Sequence, residues 1–271
     1  MKVALVDLAV HRAVVGLLES SPTWHTLVHH AEVGSTQDEA LALLREGTPP
    51  GLIVVADAQR TGRGRLGRPW RDSVSGATGP ANLAITATVK LPERSVGLVP
   101  LAVGVAVAEA YRAAGGMPRL KWPNDVLLDG RKAAGILVER HTVAEEPVLL
   151  IGCGLNLDWR GVERDAEAAG WISLAESIAA DVDRVKVLVD TLGHLGAALG
   201  QLRRDPAVVL RDYRGWSATL GEAVRVERPG RPPLFGEAVD LDADGRLVLR
   251  TEGGRAVVDV GDVIHVRAAT G

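Results

Sequence analysis

One cysteine, Cys153, stands in 271 residues. An internal disulfide framework and a cysteine-based zinc site are thereby excluded, and a reducing compartment fits. The seven histidines are scattered and offer no metal-binding helix face. Aromatic residues make up only 3% of the chain, so a core must be built from leucine, valine and alanine. Positive charge is not in excess: the formal net charge of -3 speaks against a generally basic nucleic-acid binder. The most apolar stretch reads as too short for a bilayer. It covers residues 98–108, ends at Glu109 and contains Pro100 and Gly104, which reads as a buried helix. Asp7, His11 and Arg12 interrupt the apolar N-terminus, so no export signal is read and a cytoplasmic location is expected. Internal repeats and a long polar tail are also missing, which leaves one large domain or a large domain with a small appendage.

Against this background residues 57–70, DAQRTGRGRLGRPW, are distinctive. Gly62, Gly64 and Gly67 let backbone approach a ligand, and Arg60, Arg63, Arg65 and Arg68 supply planar donor forks suited to carboxylate and phosphate. The spacing also spells a GxGxxG dinucleotide fingerprint. That fingerprint must open a helix, whereas here Pro69 follows and residues 82–90 alternate as a strand, so the dinucleotide reading falls. An anion-binding loop between two strands remains.

In chain order, residues 8–18 predict an amphipathic helix, followed by a strand into Glu32 and Val33. In GSTQDEALALLREG, Ser35 or Thr36 is expected to cap a helix, with Asp38 or Glu39 completing a capping box and Gly47 ending it. Capping alone would account for Ser35 and Thr36; the same hydroxyls can also face a ligand at the helix start. Residues 51–56 read as a buried strand that delivers the arginine loop, residues 72–80 as a flexible connection, and residues 98–114 as a helix. Asp129-Gly130 is a strong hairpin signal. A two-residue turn puts Lys132 opposite Leu127 and on the face of Asp125, within reach of that carboxylate. A solvated lysine is the ordinary alternative, and the apolar Ala133, Ala134 and Ile136 beside it lower its weight. Residues 147–158 form another strand, in which Gly152 and Gly154 permit close approach and Asn156 is the one neutral polar side chain. Trp159 and Trp171 bracket a polar loop and suit either packing or a flat heteroaromatic ring. Helical spacing runs over residues 181–204, a further helix starts at Pro206, and short alternating segments with Gly turns over residues 224–266 predict a second, all-β domain.

Ser35-Thr36 after Gly34, the ADAQRTGRGRLGRPW segment, Lys121-Trp122-Pro123-Asn124-Asp125, Lys132 with Gly135-Ile136-Leu137, and the GCGLNL strand occur in an order that resembles the biotin protein ligases. KWPND together with GRGRxGRxW is highly specific for that family. The resemblance covers residues 32–266. It implies an α+β fold: a mixed-sheet catalytic domain resembling class II aminoacyl-tRNA synthetases, and a small SH3-like all-β C-terminal domain. The implied division is a short N-terminal segment (1–31), a biotin- and ATP-binding catalytic domain (32–220) and the C-terminal domain (221–271). About thirty residues ahead of Glu32 cannot hold a helix-turn-helix, so a ligase without repressor function is expected.

The resemblance also implies site residues. Ser35, Thr36 and Gln59 would hold the ureido ring of biotin, with Gln37 (where many members have asparagine), Gly62, Gly64 and Trp70 completing its pocket. Arg63, Arg65 and Lys132 would serve the carboxylate and α-phosphate as the catalytic cations; Arg68, Lys121, Asn124, Asn156 and Trp171 would contact ATP. Asp125 is the candidate for Mg²⁺ or its water shell. The implied partner is a biotin carboxyl carrier protein or domain, with no nucleic acid or membrane, and the implied state is a monomer or weak homodimer. The arginine loop should fold over the adenylate. Two rival readings are a lipoate-type ligase, whose RRxSGGGxVxHD-like segment is absent, and an Arg-Gly nucleic-acid binder, whose segments usually repeat in disordered tails.

Overall fold

Every residue from Leu52 to Val55 is a branched aliphatic, which suits a strand covered on both faces. The computed structural model describes residues 3–4, 8–70, 81–164, 168–259 and 261–265, and in it all four are buried. The strand they begin, β3 (Leu52–Gln59), lies inside a sheet with β1 (Val3–Ala4), β2 (Thr26–Val33), β4 (Asn82–Val89), β5 (Arg119–Lys121), β6 (Asp125–Leu128), β7 (Arg131–Val143) and β8 (Glu146–Asn156). The order is β1-β2-β3-β4-β8-β7-β6-β5. The first three strands pair in parallel and the remainder antiparallel, so the sheet is mixed, as expected. The expected connection at residues 72–80 lies outside the described residues.

The two faces are covered differently. Ile53, Val55, Leu83, Ile85, Leu149, Ile151 and Cys153 point into the main core, against α3 (Val99–Ala113) and α5 (Arg184–Arg204). Leu52, Val54, Val148 and Leu150 point the other way and meet Ala40 and Leu44 of α2 (Thr36–Arg45). Because α2 covers only part of that second face, the remainder borders a cleft whose lining includes Gly152 and Gly154. The apolar run from Glu93 through α3 has the length and composition of a membrane span, yet it is the largely buried core helix of this layer. Helix α1 (Leu8–Ser20) touches α5. The short α4 (Leu174–Ile178) carries a full capping box on Ser173 and Glu176, while α5 and α6 (Pro206–Trp216) are capped by Asp183 and Asp205.

The C-terminal strands β9 (Ala223–Arg228), β10 (Arg231–Leu241), β11 (Leu247–Thr251), β12 (Gly254–Val258) and β13 (Asp262–His265) form a separate antiparallel sheet in the order β12-β11-β10-β9-β13. It is tied to the first sheet by Trp122, whose Nε1 donates to Gly245 O at 3.0 Å and whose N donates to Thr219 Oγ1 at 3.0 Å. This second sheet and the mixed first one give the α+β architecture with an SH3-like end.

Candidate active site

The hairpin expectation is met in register. Asp129 (φ 50°) and Gly130 (φ 71°) both take the left-handed conformation of a type I′ turn, and Leu127 pairs with Lys132. A bulge between Val126 and Leu127 then shifts the pairing, so that Asp125 faces Gly135. The extra residue lets Lys132 and Gly135, three apart, share one face of the sheet. Lys132 Nζ stands 2.7 Å from Asp125 Oδ1, at ion-pair distance but without the alignment of a hydrogen bond. It also lies 5.6 Å from the ring centroids of both Trp70 and Trp171. These two indoles stack at 5.3 Å, and Trp171 stacks on Trp159 at 5.9 Å. Trp159 itself is a buried packing residue whose Nε1 donates to Asn82 Oδ1.

Glycines make the floor beneath these rings. A Cβ on Gly154 would come within 2.2 Å of the Trp70 ring, one on Gly135 within 2.8 Å of it, and one on Gly152 within 2.8 Å of the Gln37 amide. The close approach anticipated at Gly152 and Gly154 is thus toward side chains of the protein itself. Over this floor lies a cleft of about 580 Å³. Of the site residues named from sequence, all but Gly62 and Asn156 line it.

At its polar end, Ser35 holds the N-cap position of α2 but its side chain makes no capping bond, contrary to the expected capping box. The helix start is served by tertiary contact instead: Thr36 N and Thr36 Oγ1 both donate to Gln59 Oε1, at 2.8 and 3.0 Å. Gln37 donates from Nε2 to Leu137 O at 3.2 Å, and its buried Oε1 has no partner among the described residues. Gly62 lies behind Gln59 and Trp70, where a Cβ would meet Trp70 O at 2.9 Å.

The arginines of the loop divide. Arg63 makes a bidentate pair with Asp38, at 2.7 and 2.8 Å, and lies 3.7 Å from Glu139. The hydrogen bond from Arg63 holds the Asp38 carboxyl below its usual range, and the Arg63 pKa is raised reciprocally. Arg65 turns toward the second sheet: it donates to Asn124 Oδ1 at 3.1 Å and Gly261 O at 3.5 Å, and lies 4.0 Å from Asp262. Burial draws the Arg65 pKa down against the pull of Asp262 and Asp125. Arg68 pairs with the same Asp262. Between them, Leu66 adopts φ 58° and is 55% exposed, the tip of a tight turn.

Asn156 is a knot under the site. Its Nδ2 donates to Lys132 O at 3.3 Å and Ile172 O at 3.1 Å, which bind the start of β7 to the Trp171 segment, and its buried Oδ1 has no partner among the described residues. Sequence reasoning gave Asp38 only a capping role and did not find its pairing with Arg63, nor Glu139, Asp262 or His265. Asp262 and His265 line the cleft from β13, with the His265 pKa lowered by burial and by nearby Lys121. No local motif marks that pairing or the other three residues. Among the described residues no three His, Cys, Asp or Glu side chains gather to hold a metal.

A cleft lined by arginine and lysine, with a polar end and an aromatic wall, is set on one face of a mixed sheet and met by a small β domain. Residues 32–156 match the model of the Biotin/lipoate A/B protein ligase family, which defines the class. Residues 219–266 match that of the Biotin protein ligase C terminal domain. The chain belongs to this ligase family. It is 36% identical over 259 residues to the biotin--acetyl-CoA-carboxylase ligase of Mycobacterium tuberculosis, covering 93% of each. The ligase of the same description from Paracoccus denitrificans is 30% identical over 86% of this chain and 98% of its own. Among solved structures, the biotin protein ligase from Aquifex aeolicus in complex with biotin and ATP superposes with a TM-score of 0.74 at 28% identity, over 90% of this chain and 100% of that one.

Proposed function

We propose that the chain is a biotin protein ligase that activates biotin with ATP and passes the biotinyl group to a lysine of a carrier protein or carrier domain. The observation that carries the reading is the gathering of Lys132, Arg65 and Arg68 on one cleft whose far end presents Ser35, Thr36 and Gln59. In the first step the biotin carboxylate attacks the α-phosphorus of ATP; a carboxyl O–P bond forms, the bond to the β-phosphate oxygen breaks and pyrophosphate leaves. In the second, a neutral carrier amine attacks the acyl carbon; the acyl C–O bond breaks, AMP leaves with the electron pair, and the ammonium proton is lost to solvent. Both steps crowd negative charge, so cations fixed in advance lower the barrier by about 3 kcal/mol for each well-placed donor.

Each side chain then has a task. Thr36 and Gln59 orient the ureido ring. The Trp70 indole on its glycine floor packs against the apolar part of biotin, and Lys132 meets the carboxylate and α-phosphate. Arg65, Arg68, Lys121 and Asn124 serve the nucleotide, with Trp171 offering its ring to adenine and Asn156 fixing the Trp171 segment. Arg63 anchors the loop through Asp38 and reaches the carboxylate only if that pair opens. Mg²⁺, with no protein cage among the described residues, would be carried by the phosphates with Asp125 as the candidate carboxylate, Asp262 of the same cleft being paired with Arg65 and Arg68, and would neutralise charge there. The reading places residues 1–31, 32–220 and 221–271 as N-terminal segment, catalytic domain and C-terminal domain, in a cytoplasmic ligase that requires no nucleic acid.

Biotin-dependent exchange of labelled pyrophosphate into ATP tests the first step, and transfer to an isolated biotin carrier domain tests the second. Absence of exchange by folded protein overturns the proposal. Exchange with lipoate but not biotin would favour the lipoate branch of the family.

A further inference from the structure

The polar end of the cleft has a fixed hydrogen-bond direction that can be deduced atom by atom. A backbone N–H only donates, so the Gln59 atom 2.8 Å from Thr36 N is the amide oxygen, and the side-chain flip is settled. Thr36 Oγ1 lies 3.0 Å from that same oxygen, which only accepts; the single hydroxyl proton of Thr36 is therefore committed to Gln59. The third contact, 2.9 Å between Thr86 Oγ1 and Thr36 Oγ1, must then be a donation from Thr86. Thr86 is fully buried in β4 and does not line the cleft. Its neighbour on the same face, Thr88, behaves differently: it bonds the backbone of Leu52 in both directions, at 3.1 and 3.2 Å, and is satisfied within the sheet.

We propose that Thr86 is a positioning residue for substrate recognition: by donating to Thr36 it holds that hydroxyl as a donor to Gln59 and leaves it only acceptor capacity toward a ligand. The consequence rests on the reading of biotin as substrate. Thr36 Oγ1 can accept a ring N–H but cannot donate to a ring oxygen, so the site selects a cyclic urea over a carbamate in which oxygen replaces one N–H. Removing Thr86's proton frees the Thr36 rotor, loosens Gln59 and weakens that selection.

The test compares wild type, Thr86→Val and Thr86→Ser in biotin-dependent pyrophosphate exchange, with thermal denaturation of each. Loss of one oriented hydrogen bond in Thr86→Val is expected to raise KM for biotin about three- to tenfold with kcat within twofold. Thr86→Ser, which keeps the hydroxyl, should restore the wild-type KM. The preference for biotin over its two ring-carbamate analogues should fall in Thr86→Val and return in Thr86→Ser. An unchanged biotin KM and unchanged preference in Thr86→Val overturn the proposal, as does a KM change that Thr86→Ser fails to repair. If Thr86→Val does not fold, Thr86→Ala carries the same comparison. Failure of exchange by the wild type would instead remove the ligase reading itself, so the two outcomes are distinct.

Discussion

Lys132 Nζ faces Asp125 Oδ1 at 2.7 Å across the hairpin, between the rims of two stacked indoles. The carboxylate and the bulge aim the ammonium along the sheet toward Gly135 instead of into solvent. Lys132→Ala is expected to slow adenylate formation by about 10²–10³-fold, the usual cost of one oriented electrostatic donor. Lys132→Arg should not restore the rate, because a planar fork does not reproduce a compact point charge. Single-turnover release of pyrophosphate measures this. An alanine variant within twofold of wild type would remove Lys132 from the chemistry.

Much of this geometry was readable in advance where the information is local. The alternation of residues 82–90 gave β4, and Asp129-Gly130 fixed the turn, hence the pairing of Lys132 with Leu127 and its reach to Asp125. Where the information is tertiary, it was not. The start of α2 reads as a capping box, but Ser35 makes no capping bond, and the Thr36 amide donates instead to Gln59, delivered by another strand. Arg63 reads as a ligand arginine, yet Asp38, 25 positions away, satisfies its fork. Arg65 meets Gly261 across 196 positions, and no motif in β13 announces that contact.

The Arg63–Asp38 pair makes the loop's closure depend on charge. Both side chains are substantially exposed, so the pair is worth only a few tenths to about 1 kcal/mol, and its removal is felt locally. Asp38→Asn is expected to speed tryptic nicking after Arg63 and Arg65 about two- to fivefold at neutral pH, with the melting temperature nearly unchanged. High salt should produce the same acceleration in wild type and little more in the variant. Equal nicking rates would show that Asp38 does not anchor the loop.

The glycine floor predicts an opposite kind of variant. An alanine Cβ at Gly154 would sit 2.2–2.6 Å from three atoms of the Trp70 indole, and the sheet behind it cannot yield as easily as the ring. Gly154→Ala should therefore push Trp70 into the cleft and break its stack with Trp171. Overpacking of this kind costs about 1–3 kcal/mol, a fall of roughly 2–10 °C in melting temperature for a chain of this size. Biotin affinity, measured by calorimetry, should fall at least about tenfold as the indole intrudes, since each 1.4 kcal/mol is a factor of ten. Unchanged affinity together with unchanged tryptophan fluorescence would mean that the floor is wider than the geometry indicates.

Asp57 closes the back of the same strand that delivers the arginine loop. It accepts from His29 Nε2 at 2.9 Å and from Arg184 Nη1 at 2.6 Å, joining β3 to β2 and to the first turn of α5. Burial alone would raise its pKa, but the hydrogen bond from His29 and the charge and hydrogen bond of Arg184 outweigh it, and the net shift is downward. A depressed carboxyl stabilises the fold above its unfolded value, about 3.9, and that contribution is lost as pH falls through the folded value. Asp57→Asn should therefore destabilise the protein at pH 7 by about 1.5–3 kcal/mol, the range for a hydrogen bond to a charged group. The gap between wild type and variant in urea midpoint should hold from pH 7 to about pH 5 and shrink below about pH 4, as the wild-type carboxyl takes up its proton. A gap that stayed constant into acid would show that packing around Asp57, and not its charge, holds the three elements together.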